Sequence, residues 1–264
     1  MLPGLTGRLP LTEPMDAEQI ARIDSASLDI LEEVGVVFRD DIALEDWRRA
    51  GADVRGERVH LDRALVKSLI STIPSTITLH ARNPEKSVTL GGRQSIFVPM
   101  TGAPYLRDLD DVRRAPTLDD LATFHKLSHM LPAMHSSAHH IVEPMDHPIS
   151  HRHLRITHSS ILHSDKTFMG MTTSGRNAED VLDMAAILFG AAFLETHAVV
   201  VGNCNGNSPL VWDETMLSAM RAFNRRNQPV LCSPFVLGGA NTPASTVPTV
   251  AQLNAEALSA LAYT

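Results

Sequence analysis

The sequence predicts an α/β fold in which strands and helices alternate along most of the chain. After Gly92, apolar strand candidates recur, and each is followed by a loop and then by a helical pattern. The last three candidates begin at residues 167, 198 and 230, so that 31 and then 32 residues separate their starts. This spacing is typical of one strand–helix unit in a parallel sheet. We therefore expect a helical region with a small β-hairpin at residues 1–92 and a strand–helix repeat at residues 93–264.

The N-terminal region begins with three prolines among residues 1–15, which predict an extended arm. Apolar residues at helical spacing then predict helices over 16–34, 42–50 and 62–70. Gly35 and Gly51 follow the first two segments and are expected to end them. A short strand is expected at 57–61, and a hairpin is expected to pair 77–80 with 88–90 around a turn at 83–86.

The second region contains five strand candidates, at residues 96–98, 136–142, 167–171, 198–201 and 230–231. Helices are predicted from Thr117 onward and over residues 178–189, 214–227 and 250–263. Thr117 and Asp120 have the spacing of a capping box, and Asp213 is suited to cap the helix that follows it.

Five such units fit two architectures, a doubly wound open sheet and part of a (β/α)₈ barrel. The glycine-rich phosphate fingerprint of dinucleotide-binding sheets is absent, since neither Gly91-Gly92 nor Gly238-Gly239 is followed by a third glycine. A complete barrel needs eight units and about 250 residues. Because the units begin near residue 96 and the sequence stops after the fifth helix, a barrel implies that this chain is incomplete.

Composition and charge limit the classes of function. Apolar residues make up 44% of the chain, and a net charge of −7 without a basic stripe argues against a nucleic-acid partner. No apolar run reaches the length of a transmembrane helix, and the N-terminus lacks the core of a signal peptide. The two cysteines are too few for a disulfide framework. These features predict a cytoplasmic enzyme with no membrane partner.

A group of amides follows the apolar run at residues 198–201. Asn203, Asn205 and Asn207 occupy alternate positions without a charge between them. At the carboxyl end of a buried strand, such amides can bind a neutral or zwitterionic ligand by hydrogen bonds. The alternative is a tight turn that uses Asn and Gly for positive φ. Because glycines at 202 and 206 are expected to interrupt the strand, Asn203 and then Asn205 are predicted to face a crevice, with Asn207 in a turn.

The other strand ends supply further candidates. Tyr105 follows the first strand, His140 and Glu143 lie at the end of the second, and Ser233 and Phe235 follow the fifth. Glu143 is the single carboxylate that ends an apolar strand candidate here. It could attract a cation or act as a base, or it could form an ion pair with a nearby arginine.

The sequence also raises a metal hypothesis. Cys204, Cys232 and His140 could form a Cys₂His zinc site, although buried cysteines also serve as small apolar packing residues. Histidines spaced four apart align on helix faces, where surface or capping roles are common. The His-Arg-His sequence at 151–153 falls in a helical stretch, where residues two apart diverge. No HExxH or CxxC motif is present.

Eight segments, in this order and spacing, resemble the trimethylamine methyltransferase family, including members that lack pyrrolysine and use quaternary amines such as glycine betaine. They are LDILEEVGV, ITLHARNPEKSVTLGG, GAPYLRDLD, IVEP, DKTFMG, VGNCNGNSPLVWDE, QPVLCSPFVLGGANTP and AQLNAEALSALA. The resemblance runs from about Asp16 to the last residue.

This resemblance implies a (β/α)₈ barrel, here incomplete, and a methyltransferase. The methyl group would pass from a tertiary or quaternary amine to the cobalt of a corrinoid protein, so cobalamin is carried by that partner and none is bound directly. Family chains continue past Thr264, and in the trimethylamine enzymes the pyrrolysine lies in that later part. The residues expected to contact the substrate are Glu143, Asn203, Asn205, Tyr105, His140, Ser233 and Phe235; no catalytic residue is assigned.

Two alternatives stay open beside this interpretation. The first is a zinc-dependent barrel methyltransferase or hydrolase that uses the two cysteines and His140. The second is a non-catalytic barrel that binds small osmolytes. The expected partners are a small methylated amine and a corrinoid protein, and self-association is left open.

Overall fold

The computed structural model describes residues 4–7 and 12–264, which form a mixed α/β protein. The helices are α1 (Ala17–Asp29), α2 (Asp41–Ala50), α3 (Arg63–Ile70), α4 (Leu118–Met130), α5 (Ile149–His163), α6 (Gly175–Phe189), α7 (Ala191–Thr196), α8 (Glu214–Arg225) and α9 (Thr246–Tyr263). The strands are β1 (Leu5–Thr6), β2 (Val36–Arg39), β3 (Asp53–Arg55), β4 (Arg58–His60), β5 (Thr76–Leu79), β6 (Val88–Gly91), β7 (Gln94–Ser95), β8 (Leu106–Arg107), β9 (Arg113–Arg114), β10 (Phe168–Gly170), β11 (Val200–Gly206), β12 (Val211–Asp213) and β13 (Val230–Pro234). The arm predicted for residues 1–15 lies partly outside the described residues.

The chain divides into two compact units that do not follow a single cut in the sequence. In its described residues, unit 1 consists of β1 with residues 75–203 and 222–230. Unit 2 consists of residues 12–74, 204–221 and 231–264. The two-region division at residue 92 stays a prediction. None of the helices described is long and apolar enough to cross a membrane.

The N-terminal helices confirm the predictions because their caps are local. Asp16 forms a capping box at the start of α1, which ends in a π-helical turn, Ile30–Val34, before Gly35. Asp40 accepts a hydrogen bond from an amide in the first turn of α2, and Gly51 ends that helix in the left-handed conformation, with φ of 89°.

Unit 2 contains a sheet in the order β12-β2-β4-β3. The strand β12 pairs in parallel with β2, whereas β2 and β3 both run antiparallel to β4. On this sheet, Phe38 meets Trp47 edge to face with ring centroids 5.3 Å apart, and Tyr263 of α9 lies 6.0 Å from Phe38. These rings form an aromatic core. The sequence prediction missed β2 and β3, each only a few residues long.

Unit 1 contains parallel backbone segments that are neighbours in chain order. Ala103 bridges to Val142, and Ser136 bridges to Thr167, both in parallel. The strand β10 then pairs in parallel with β11, and the amide of Gly202 in β11 donates to the carbonyl of Pro229 ahead of β13. This order is the one expected for successive strand–helix units. In residues 4–7 and 12–264 the strands do not close into a barrel.

Two strands predicted in this region are wrong. Residues 96–98 do not form a strand, because the amide of Phe97 donates to the imidazole of His135 instead of to a ladder carbonyl. Residues 136–142 form isolated bridges only, although the Ser137 amide donates to the Thr167 carbonyl and the Met169 amide donates to the Ala138 carbonyl. Ala138 adopts a φ of 57°, which interrupts this segment.

The strand β11 is longer than predicted. The expected break at Gly202 is wrong, because the strand continues to Gly206. Gly202 allows close packing and does not form a turn, since a Cβ there would lie 3.2 Å from the ring of Phe223. The apolar face of α8 consists of Leu217, Met220 and Phe223, which are fully buried.

Lys166 closes the carboxyl end of α4. Its ammonium donates to the carbonyl oxygens of Ser128, Leu131 and Met134 at 2.7, 2.9 and 2.7 Å. The residue is buried, and burial lowers its pKa. A buried ammonium is tolerated when carbonyl oxygens surround it. Its positive charge also interacts favourably with the negative carboxyl end of the helix dipole.

Candidate functional site

The loop that carries Tyr105 runs beside the segment that carries His140 and Glu143. The amide of Gly102 donates to the carbonyl of His140 at 2.7 Å, and the amide of Glu143 donates to the carbonyl of Ala103 at 2.9 Å. The structure therefore brings three of the predicted substrate contacts onto two neighbouring segments of unit 1.

Glu143 forms an ion pair with Arg152 of α5. The Nη1 atom of Arg152 donates to Oε1 of Glu143 at 2.8 Å, and the two side chains are 14% and 22% exposed. Arg152 also donates from Nη2 to the carbonyl of His147 at 2.8 Å. The second carboxylate oxygen, Oε2, makes no hydrogen bond within the described residues. The ion pair was one of the two interpretations of Glu143, and its contact with a substrate stays a prediction.

Three histidines with lowered pKa values, His125, His139 and His140, are linked by hydrogen bonds in the same unit as Glu143. His139 is buried, and its Nδ1 lies 2.5 Å from Nδ1 of half-buried His140. His125 donates from Nε2 to the carbonyl of His139 at 2.7 Å and accepts from Ser159. Burial lowers the pKa of His125 to about 4 and holds the pKa of His139 well below its usual value. For His140, burial lowers the pKa, while Glu143 opposes that shift.

The Tyr105 ring already holds a cation from the chain itself. The guanidinium of Arg113, on β9, lies 4.0 Å from the centre of the ring. The ring is about half exposed, at 51%. A cation–π contact of this kind contributes about 0.5–1 kcal/mol at an exposed site. A substrate ammonium would therefore have to compete with Arg113 for that face.

The three asparagines differ in their surroundings. Asn203 is half-buried, and its carbonyl accepts a 2.6 Å hydrogen bond from the hydroxyl of Thr172 in unit 1. Asn205 is exposed on the part of β11 that belongs to unit 2. Asn207 lies in the tight connection to β12, where its side chain donates to Asp213. The turn role foreseen for Asn207 agrees with this contact, and the ligand contacts of Asn203 and Asn205 stay predictions.

Glu256 holds the connection after the asparagines, and the sequence analysis missed it. This residue of α9 is 1% exposed and accepts hydrogen bonds from the Ser208 hydroxyl at 2.5 Å and the Leu210 amide at 3.0 Å. Gln252 donates to the same carboxylate at 2.9 Å. The sequence did carry a signal for this role, because Glu256 is a carboxylate in the otherwise apolar helix α9. A carboxylate that such a helix buries needs hydrogen-bond donors from other parts of the chain.

The remaining candidates lie in unit 2, on strand β13 and in the loop that follows it. Ser233 is half-buried, and Phe235 is 64% exposed. The side chain of Asn241 donates to the Phe235 carbonyl at 2.7 Å and accepts from the Leu237 amide at 2.6 Å, so this loop is internally bonded. The substrate contacts of Ser233 and Phe235 also stay predictions.

The zinc hypothesis lacks a ligand group in the part of the chain that is described. No set of three or more His, Cys, Asp or Glu residues there is placed to hold a metal ion. Cys204 is fully buried, and burial raises the pKa of the Cys232 thiol to about 12. A raised pKa disfavours the thiolate that zinc requires.

A second polar region lies in unit 2, around the pair formed by Asp40 and Arg221. A cleft of about 310 Å³ is lined there by Arg39, Asp40, Asp41, Ile42, Leu44, Glu57, Glu214 and Arg221. Arg221 donates to both oxygens of Asp40 at 2.8 and 2.7 Å, so the pair satisfies itself. We assign no ligand to this cleft.

Comparisons with known proteins agree on one family. A family model described as "Trimethylamine methyltransferase (MTTB)" matches residues 1–264. A relative named glycine betaine methyltransferase, from Desulfitobacterium hafniense (strain Y51), is 40% identical over 254 residues, which cover 96% of this chain and 53% of the relative. A relative named proline betaine:corrinoid methyltransferase, from Eubacterium limosum, is 26% identical over 251 residues, which cover 90% of this chain and 50% of the relative.

A third relative, named trimethylamine methyltransferase MttB, comes from Desulfitobacterium hafniense (strain DSM 10664 / DCB-2). It is 27% identical over 180 residues, which cover 66% of this chain and 35% of the relative. The chain thus spans about half the length, or less, of the curated relatives that it matches.

Proposed function

The chain belongs to the trimethylamine methyltransferase family, and from that premise we propose that the protein is a methyltransferase acting on methylated amines. The donor is a tertiary or quaternary amine such as trimethylamine or glycine betaine, and the acceptor is the cobalt of a corrinoid protein. The observation that carries this proposal is the 40% identity, over 96% of this chain, to a relative named for glycine betaine. Quaternary amines are therefore our first choice of substrate.

The reaction sets simple demands on the residues of this chain. With a quaternary donor, the C–N bond breaks and its electron pair stays on nitrogen, which becomes a neutral tertiary amine. The methyl group would bond to the acceptor through an electron pair supplied by the reduced cobalt of the partner. The corrinoid partner supplies the cobalt that accepts the methyl group. Because a quaternary substrate leaves as a neutral tertiary amine, no general acid has to protonate the leaving group. The chain must instead hold a cation, orient one methyl group and exclude water.

Glu143 is our candidate for holding the cation. Its Oε1 is occupied by Arg152 at 2.8 Å, while Oε2 has no hydrogen bond within the described residues. Arg152 fixes the orientation of the carboxylate and offsets part of its charge. An ammonium ion could approach Oε2 without displacing Arg152. Asn203 and Asn205 are predicted to form hydrogen bonds with polar atoms of such a methylated amine.

We also propose that this chain forms the first part of a (β/α)₈ barrel. The support is the order of the parallel segments in unit 1, where residues 103, 142, 136, 167 and the strands β10 and β11 pair as successive neighbours. Each connection between consecutive segments contains a helix, which is the arrangement found in barrels.

The test is demethylation by the full-length protein with a corrinoid acceptor. We expect dimethylglycine to be released from glycine betaine, with trimethylamine and proline betaine as comparison substrates. Release of no demethylated amine from any of the three, with several corrinoid proteins tried, contradicts the proposal. Tight binding of glycine betaine without release would assign the protein to the osmolyte-binding alternative.

A further inference from the structure

The adjacent histidines 139 and 140 form a pair whose protonation is restricted by burial. Their Nδ1 atoms lie 2.5 Å apart, so one ring must donate Nδ1–H and the other must accept on a bare Nδ1. His139 is buried, and its Nε2 atom is buried without a hydrogen-bond partner in the described part of the chain. The Nε2 atom of His140 is not buried in this way, since His140 is half-buried.

The hydrogen-bond network assigns the two tautomers. If His140 donated its Nδ1–H, neutral His139 would carry its own proton on the buried and unpartnered Nε2. Buried N–H groups without an acceptor are rare, because they lose water without a replacement. Burial also disfavours a cationic His139, whose pKa is held well below its usual value. His139 therefore donates Nδ1–H, and the proton of neutral His140 lies on Nε2.

Gly102 leaves the Nε2 atom of His140 uncovered. A Cβ on Gly102 would lie 3.5 Å from that nitrogen, in van der Waals contact with it. The φ of +82° at Gly102 favours glycine at this position, and its amide holds the His140 carbonyl at 2.7 Å. His125 restrains the other side of the pair by donating to the carbonyl of His139. The Nε2–H of His140 is therefore a fixed donor with no acceptor from the described residues.

We propose that His140 Nε2–H binds the carboxylate of a betaine-type substrate and that His139 is a positioning residue that fixes this donor. The inference rests on the proposed function, because it names the substrate class of the same site. It gives the site two poles, since Glu143 lies three residues further along the same segment and attracts the ammonium end. A zwitterion with opposite charges a few ångströms apart matches these two poles, whereas tetramethylammonium matches only one.

The first test reads the tautomers directly. Histidine-labelled full-length protein without ligand is studied by ¹⁵N NMR, and the His140→Phe variant identifies the His140 signals. We expect the proton on Nδ1 of His139 and on Nε2 of His140. The opposite pattern, or rapid exchange between both tautomers, overturns the inference.

The second test separates carboxylate binding from cation binding. Calorimetric titration is done with glycine betaine and with tetramethylammonium. We expect His140→Phe to weaken glycine betaine binding by roughly tenfold or more, the effect of one charge-assisted hydrogen bond, and to leave tetramethylammonium unchanged. The matched control is His163→Phe, since His163 is also half-buried but lies at the end of α5. Equal loss for both ligands, or no loss, overturns the inference.

Variants of His139 test its positioning role. His139→Asn keeps a side-chain donor for Nδ1 of His140, and we expect it to retain most of the preference for glycine betaine. His139→Leu removes that donor and should reduce the preference toward the level of His140→Phe. If the leucine variant does not fold, the asparagine variant and the NMR spectrum decide, and loss of preference in the asparagine variant counts against the role.

These outcomes separate the inference from the proposed function. A wild type that binds glycine betaine through His140 but releases no demethylated amine supports the inference and contradicts the function. Equal release of dimethylglycine by the wild type and by His140→Phe supports the function and overturns the inference.

Discussion

The two units each hold an arginine–carboxylate pair that is largely withdrawn from solvent, and the two pairs are built differently. In unit 2, Arg221 contacts both oxygens of Asp40, whose side chain is only 4% exposed. Asp40 also accepts from the Ala43 amide, and Arg221 donates to the hydroxyl of Tyr263 at 2.9 Å. Both oxygens of Asp40 and both terminal nitrogens of Arg221 are therefore bonded inside the protein.

The pair in unit 1 uses a single contact. Arg152 reaches one oxygen of Glu143, and the carboxylate is 22% exposed with Oε2 left for another partner. A satisfied pair holds elements together, whereas a half-satisfied pair has capacity for a ligand. The difference teaches that the number of remaining hydrogen-bond positions, and not the presence of an ion pair, separates a structural carboxylate from a candidate binding carboxylate.

The largest expected effect is on the satisfied pair. Arg221→Ala leaves the carboxylate of Asp40 buried without its cation, and we expect the free energy of unfolding to fall by about 3–5 kcal/mol. Chemical denaturation of the variant and the wild type measures this loss. The control is Arg39→Ala, because Arg39 is 61% exposed and lies 3.9 Å from Glu57. Its effect should stay within about 0.5 kcal/mol. A loss below 1 kcal/mol for Arg221→Ala would remove the contrast between the pairs.

The second prediction concerns acid stability of the histidine-rich region beside Glu143. The pKa of His125 falls from 6.5 to about 4 on folding because the ring is buried. The unfolded chain therefore binds a proton at this position before the folded protein does. The stability from the neutral ring is complete above pH 6.5 and is lost as the pH falls from 6.5 toward 4, at about 1.4 kcal/mol per pH unit.

Denaturation at several pH values measures this slope. We expect His125→Gln to be less stable at neutral pH but to lose roughly 3 kcal/mol less between pH 6.5 and 4 than the wild type does. His158→Gln, at an exposed position on α5, should keep the pH dependence of the wild type. An unchanged slope in the His125 variant would assign acid sensitivity to other groups.

The third prediction tests the half-satisfied pair. Glu143→Gln keeps an oxygen for Arg152 but removes the charge, so we expect binding of a quaternary amine to weaken by about 1–3 kcal/mol. The melting temperature should change little by comparison with Arg221→Ala. Calorimetric titration and thermal melting of the same preparations give both quantities. Unchanged binding with a lowered melting temperature would make Glu143 a structural partner like Asp40.

The smallest effects are expected among the asparagines. Asn203→Ala should weaken substrate binding by about 1 kcal/mol, the value of one neutral hydrogen bond, and Asn205→Ala by less. Asn207→Ala should instead reduce stability, because its side chain donates to Asp213. Methyl transfer and thermal melting of the three variants separate these roles. If all three melt early and none changes transfer, the asparagines have structural roles only and the ligand binds elsewhere.

The parts of the fold that the sequence predicts correctly depend on local interactions. Asp16, Asp62 and Thr117 each accept hydrogen bonds from amides two or three residues further on, so the helix starts can be read from the sequence. The hairpin of β5 and β6 is equally local, with its turn at Pro84–Lys86. The strand predicted at 96–98 fails because the imidazole of His135 accepts the hydrogen bond of its Phe97 amide, and the strand predicted at 136–142 is interrupted at Ala138. Hydrophobic periodicity carries no record of either effect.

The candidate site is predictable only in part for the same reason. The ends of the apolar runs locate Glu143 and Asn203, but they do not indicate the partners of these residues. Arg152 lies on a separate helix, and Glu256 holds Leu210 across 46 residues of sequence. The protonation of His140 depends on the burial of His139, which follows from packing and not from composition.

The contacts of Lys166 with the end of α4 have a consequence for the order in which the chain can fold during synthesis. The carbonyls at Ser128 and Met134 are bonded by an ammonium that follows them by 38 and 32 residues. During synthesis from the N-terminus, this helix therefore leaves the ribosome with its carboxyl end open to water. It can be closed only after α5 has been made and the segment up to Lys166 has returned to it. The end of α4 is therefore stabilised by a tertiary contact, which forms only when α5 and the segment after it pack against α4.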